Sequence, residues 1–143
     1  MDAQSPRFDT VAMEPSATPL VYIVEDDASV AVALSRLVRA AGLDARSFGS
    51  TEEFLAADIR AERACVVSDV RLPGISGLAI PELLLKAGKK LPVIIISGDD
   101  AADLEERALH AGATAFFRKP AGDAALLKAI FNALEPISRE GSV

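Results

Sequence analysis

Four polar elements in this chain each stand at the end of an apolar run. Glu25-Asp26-Asp27 follows Leu20-Val21-Tyr22-Ile23-Val24, and Asp69 follows Ala64-Cys65-Val66-Val67-Ser68. Ser97 follows Pro92-Val93-Ile94-Ile95-Ile96, and Lys119-Pro120 comes just after Thr114-Ala115-Phe116-Phe117. Brought together, they offer carboxylates, one hydroxyl and one ammonium. If the runs carrying Glu25, Asp26 and Asp69 lie side by side, three carboxylates share a pocket. Each pair then repels by about 1 kcal/mol in water-like surroundings and up to about 4 kcal/mol at a protein-like dielectric. A divalent cation removes that cost. All-oxygen ligation with retained waters suits Mg²⁺, with Mn²⁺ as a substitute, and the lack of histidine or cysteine in the set argues against zinc.

Asp69 is the candidate nucleophile, because a carboxylate can accept a phosphoryl group as an aspartyl phosphate. The transferred group carries negative charge on its equatorial oxygens, so catalysis is positioning plus electrostatic stabilisation. Lys119 can neutralise one of those oxygens and the Ser97 hydroxyl can donate to another. Each residue also has an ordinary role open to it. Asp27 reads best as a helix cap. Ser97-Gly98 and Lys119, taken singly, read as a turn and a solvated charge. His110, the only histidine, has no cysteine or histidine neighbour and reads as a surface residue. Cys65, the only cysteine, reads as a small buried hydrophobe.

The elements that position these groups alternate regularly. Residues 20–24, 44–48, 64–68, 92–96 and 114–117 read as strands, several of them apolar throughout as in a sheet covered on both faces. Between them lie helical patterns. Residues 28–41 place Val30, Leu34, Leu37, Val38 and Ala41 on one face, and Gly42 is set to end that helix. Ser50 or Thr51 caps a second helix running through Ile59, with Glu53 completing a capping box. A loop over residues 69–77 leads to a third helix ending near Gly88. Pro81 predicts that this helix starts a residue or two after Gly77, or bends. Asp99 or Asp100 caps a fourth helix ending near Gly112, and a fifth spans residues 123–134. Five βα units of this kind predict an α/β fold, a three-layer (βα)5 doubly wound parallel sheet. The chain is too short for a closed eight-fold barrel, so the sheet is open. Ligands bind such sheets at the carboxyl ends of the strands, where the polar elements stand.

A length of 143 residues, half of them hydrophobic, suits one domain. Residues 1–19, broken by Pro6, Pro15 and Pro19, read as a flexible extension, and residues 136–143 as a flexible tail. The net charge of −6 and the scattered basic residues argue against direct nucleic-acid binding by this domain. No apolar run approaches the roughly 20 residues of a membrane span, and no basic-then-apolar start marks a secretory signal. A cytoplasmic location is expected.

The ordered combination of Val24-Glu25-Asp26-Asp27, the run from Asp69 through Leu72-Pro73-Gly74 to Gly77, Ser97-Gly98 and Lys119-Pro120 resembles the receiver domain of two-component response regulators. The likeness covers residues 20–135. It implies a flavodoxin-like fold with strand order 2-1-3-4-5. It implies phosphorylation of Asp69 by a histidine kinase or phosphotransfer protein, with Mg²⁺ held by Glu25, Asp26, Asp69 and the backbone carbonyl of Arg71. Lys119 and Ser97 are the implied phosphoryl contacts, Phe116 the implied aromatic switch, and Lys119–Pro120 the implied cis peptide. Phosphorylation-dependent homodimerisation through the face around the fourth helix, fifth strand and fifth helix is a further implication. Three positions depart from the pattern. Ala121 stands where an aromatic is usual, Phe116 lacks a tyrosine hydroxyl, and Pro81 interrupts the third helix.

Two other functions compete. An aspartyl-phosphate phosphatase of the haloacid-dehalogenase kind needs an acid two residues after its nucleophile, and Arg71 stands there. A pure interaction module would need the acidic pocket to be vestigial. The wording around Phe48-Gly49-Ser50 also resembles receivers fused to helix-turn-helix transcription factors. The chain is therefore expected to be either a single-domain regulator or the receiver fragment of a longer DNA-binding transcriptional regulator.

Overall fold

A computed structural model describes residues 18–135. The expected tail lies outside that range, as does the expected extension except for Thr18 and Pro19. Those two are held in place. Arg60 Nη2 donates to the Thr18 carbonyl oxygen at 2.8 Å, and the Asp44 N–H donates to that of Pro19 at 2.9 Å.

In chain order the elements are β1 (Leu20–Val24), α1 (Ala28–Ala40), β2 (Asp44–Phe48), α2 (Thr51–Ala56) and β3 (Ala64–Asp69). A 3₁₀ turn (Gly77–Ala79), α3 (Ile80–Lys86), β4 (Val93–Ser97), α4 (Leu104–His110), β5 (Ala115–Arg118) and α5 (Asp123–Leu134) follow. The strands form one parallel sheet in the order β2-β1-β3-β4-β5, the order expected of a flavodoxin-like fold.

Strand periodicity divides the core between the two faces. Val21, Ile23, Cys65, Val67, Ile94 and Ile96 pack with Val38 of α1 and with Leu126 and Ile130 of α5. Tyr22, Val24, Val66, Val93 and Ile95 pack against Phe54 of α2, Ile80 and Leu84 of α3 and Leu104 of α4. Helices cover both faces, which explains why β1, β3 and β4 are buried along their whole length. β2 lies at an edge and is largely polar and exposed, as an edge strand should be to resist pairing with another chain.

Pro81 falls in the first turn of α3, where no backbone N–H is required of it. The turn from Gly77 to Ala79 is 3₁₀, so the α-helix begins late, as expected. α2 instead ends at Ala56, short of the expected Ile59. Ile59 is drawn into the core, its carbonyl accepts from Lys89 Nζ at 3.0 Å, and the next N–H, of Arg60, donates to the Tyr22 hydroxyl. These tertiary partners replace the helical ones. The Ser50 side chain caps α2 by accepting from the Glu53 N–H at 3.1 Å. Glu53 reaches back to the Gly49 N–H rather than to that of Ser50, so the capping box is displaced by one residue. The cap of α4 also differs from expectation. Its N-cap position is Asp103 rather than Asp99 or Asp100, and the Asp99 carboxylate is engaged by Arg71 and the Ala101 N–H.

Candidate functional site

The sheet register builds the site. β1 and β3 are neighbours, with Val24 opposite Ser68, so the next residue on each chain brings Glu25 beside Asp69. β4 flanks β3 on its other side, and β5 flanks β4 with Ser97 opposite Arg118. The Lys119 N–H donates to the Ser97 carbonyl oxygen at 2.7 Å, which seats the lysine at the end of the sheet. All four polar elements thus meet at the carboxyl ends of the strands.

Asp69 is the last residue of β3 and is buried, as is Glu25, while Asp26 is exposed. Carboxylate oxygens of Glu25, Asp26 and Asp69 lie within 4.8 Å of one another. Lys119 Nζ donates to Glu25 Oε1 at 2.9 Å and to Asp69 Oδ2 at 3.1 Å. Glu25 Oε2 accepts the Asp27 N–H at 3.1 Å, and Asp69 Oδ1 accepts the Arg71 N–H at a long 3.4 Å. Burial pushes the Glu25 carboxyl above its ordinary range, and its bond to Lys119 does not fully offset that. Burial alone depresses Lys119, but its bonds to the two carboxylates outweigh this and hold it above its ordinary value. Lys119 is therefore a fixed positive charge in the pocket.

The donor set passes the chemical test for a hard divalent cation. It is all oxygen, clustered from three carboxylates and balanced by one ammonium, which leaves negative charge to be neutralised. The Arg71 carbonyl belongs to the same loop, whose Arg71 N–H faces Asp69 and whose Arg71 side chain pairs with Asp99.

Gly77 fits the loop because nothing larger would. A Cβ there would overlap the Asp69 carbonyl oxygen and crowd Ser68 Oγ. Gly74, at φ +78°, makes the preceding turn, and Glu52 holds it by accepting the Ile75 N–H at 3.1 Å. The Lys119–Pro120 peptide is cis. Asp27 caps α1 by accepting from the N–H groups of Ser29 and Val30, and its carboxyl is lowered chiefly by the Ser29 side-chain bond. Ser97 is fully buried, and its Oγ accepts the Asp99 N–H at 3.0 Å. Phe116 is half-buried on the α4 face of β5. His110 is exposed at the end of α4, away from these groups.

Sequence reading missed Asp99 and Arg118. Asp99 passed for a helix cap and Arg118 for one scattered base among others. Its signal was strand alternation, which sets Arg118 on the same face as Phe116.

The profile of the response regulator receiver domain matches residues 21–131. The chain belongs to the response regulator receiver domain family. It is 40% identical over 120 residues to the transcriptional regulatory protein TdiR of Thauera aromatica, covering 84% of this chain and 52% of that protein. It is likewise 40% identical over 116 residues to the response regulator protein TodT of Pseudomonas putida, covering 81% and 51%. Among solved structures, a response regulator receiver protein from Burkholderia phymatum is 40% identical, with a TM-score of 0.70, over 81% of this chain and 94% of that one. The chain spans about half the length of the curated relatives it matches. A receiver domain is a signalling switch rather than a classical enzyme. The acidic cluster is of the kind that holds a divalent metal in such domains.

Proposed function

We propose that this receiver accepts a phosphoryl group on Asp69 from a histidine kinase or a histidine phosphotransfer protein. The observation that carries the reading is Lys119 Nζ, just after β5, bonded to both Glu25 after β1 and Asp69 at the end of β3. In the transfer, a carboxylate oxygen of Asp69 attacks phosphorus. The bond from phosphorus to the donor's imidazole nitrogen breaks, and that nitrogen keeps the electron pair. Lys119 is already placed at an Asp69 oxygen, where it stabilises the charge of the transferring group. Ser97 turns its hydroxyl to the same group, and Phe116 follows on the α4 face. The shift is a redistribution between existing conformations, biased by the new contacts.

Glu25, Asp26, Asp69 and the Arg71 carbonyl are assigned to Mg²⁺, with Mn²⁺ as substitute. The ion supplies neutralisation of the crowded carboxylates and of the incoming phosphoryl charge. The test is acetyl phosphate with Mg²⁺, read as Asp69 phosphorylation by intact mass. Wild type gains one phosphoryl group, and Asp69→Asn gains none. Equal labelling of Asp69→Asn would sink the assignment.

Phosphorylation-dependent homodimerisation through α4, β5 and α5 is part of the same proposal. Sedimentation that stays monomeric with beryllofluoride bound would remove it. A cytoplasmic location follows from the proposed partner, and no helix among the described residues is long and apolar enough to cross a membrane. The domain itself is assigned no nucleic-acid contact. A second reading concerns the whole protein. Its likeness to transcriptional regulators of about twice the matched length favours a receiver that governs a DNA-binding output. The genomic reading frame beyond Val143 decides between that and a single-domain regulator.

A further inference from the structure

Two arginines reach the loop after Ser97 from opposite sides. Arg71, just beyond β3, donates to Asp99 Oδ2 from Nε at 3.1 Å and from Nη2 at 2.5 Å. Arg118, the last residue of β5, donates from Nη1 to the Asp99 carbonyl oxygen at 2.8 Å and from Nη2 to that of Ala101 at 3.0 Å. Asp99 turns inward as well. Its N–H donates to Ser97 Oγ, and its Oδ1 accepts the Ala101 N–H at 3.0 Å. The Arg118 guanidinium also lies over the Phe116 ring, 5.3 Å from its centre. One exposed side chain therefore touches both the loop behind Ser97 and the aromatic beside it.

We propose that Arg118, together with Arg71 acting through Asp99, is a positioning residue that holds the Ser97 loop in its resting place. The clasp thereby sets how readily the phosphoryl pocket closes. If Ser97 swings onto a phosphoryl oxygen, it abandons the Asp99 N–H or draws the loop with it. Drawing the loop stretches the bonds from Arg71 and Arg118. Either route breaks contacts present in the resting state, so the clasp opposes activation. Arg118 links the two moving parts because Phe116 lies under its guanidinium.

This inference rests on Asp69 being the phosphoryl acceptor, and the two can fail separately. The probe is beryllofluoride with Mg²⁺, titrated by calorimetry into wild type, Arg118→Ala, Arg118→Lys and Arg71→Ala. Losing one or two hydrogen bonds to the resting loop is expected to lower the apparent Kd roughly three- to ten-fold in Arg118→Ala. Arg118→Lys keeps the charge but lacks the planar fork that spans two carbonyls, so it shifts the same way. Removing a positive charge from a chain of net charge −6 would by itself weaken anion binding. A tighter Kd therefore reports the clasp rather than the field. In the ligand-free Arg118→Ala variant, the Ser97 amide and Phe116 ring resonances are expected to move toward their beryllofluoride-bound positions. An unchanged or weaker Kd in both Arg118 variants, or resonances that do not move, overturns the inference. A wild type that ignores beryllofluoride overturns the phosphoacceptor reading beneath it.

Discussion

Asp26 and Asp27 are neighbours, both exposed, and the backbone assigns them different tasks. Asp27 turns its carboxylate onto the first N–H groups of α1, whereas an Asp26 oxygen joins the cluster with Glu25 and Asp69. Asp27→Ala is expected to lower stability by about 1 kcal/mol, the usual worth of an N-cap. Urea unfolding checks this, with the Mg²⁺ response kept. Asp26→Ala should keep its urea midpoint and lose Mg²⁺-induced NMR shifts at Asp69. Burial pushes the Cys65 thiol from its usual 9.0 up to about 12. It should resist alkylation at pH 8 in the folded protein and react fully in denaturant. A raised thiol pKa is a contribution complete below pH 9.0 and lost as the pH climbs through about 12. The urea midpoint should therefore fall across that window, and less so in Cys65→Ala. Lys119, also raised, adds a loss of the same sign above its ordinary 10.5. Glu25 differs in window only: its contribution is complete below 4.5 and fades as the pH rises through its raised value.

Among the elements, the loop from Asp69 to Gly77 is the most exacting. The Gly77 N–H donates to the Val70 carbonyl at 3.0 Å, and its missing side chain leaves room for the Asp69 carbonyl. Gly77→Ala is expected to cost about 1–3 kcal/mol, because backbone must move to admit the methyl group. It should also weaken beryllofluoride binding, since the displaced strand end carries Asp69. Denaturant unfolding and calorimetry on one preparation check both effects. The strands and the late start of α3 were legible because alternation and Pro81 act locally. The early end of α2 was not. Ile59 leaves the helix for contacts with Lys89 and the core, and its neighbour Arg60 meets Tyr22 38 residues away. Asp99 was misread as a cap for the same reason, its partner Arg71 being 28 residues earlier.

In the whole molecule, Ala121 borders an apolar surface groove. This groove of about 720 Å³ opens between α1 and α5, walled by Val30, Leu34, Leu37, Ala121 and Leu126. Ala121→Phe places a ring there and is expected to add about 1 kcal/mol, or about 3–6 °C in Tm by calorimetry. A lower Tm would mean that the groove cannot take a ring without strain. Alternation of apolar strands with amphipathic helices determined the layered parallel fold from sequence alone. The spacing of Glu25, Asp26, Asp69, Ser97 and Lys119 likewise determined which groups stand at strand ends, because each closes its own strand or follows it by a residue or two. Tertiary structure alone decided that Lys119 bonds both Glu25 and Asp69, and that Arg71 and Arg118 converge on Asp99. Those contacts depend on strand order and side-chain reach across loops. Local periodicity records which face a residue occupies, and carries no measure of what meets it from another strand.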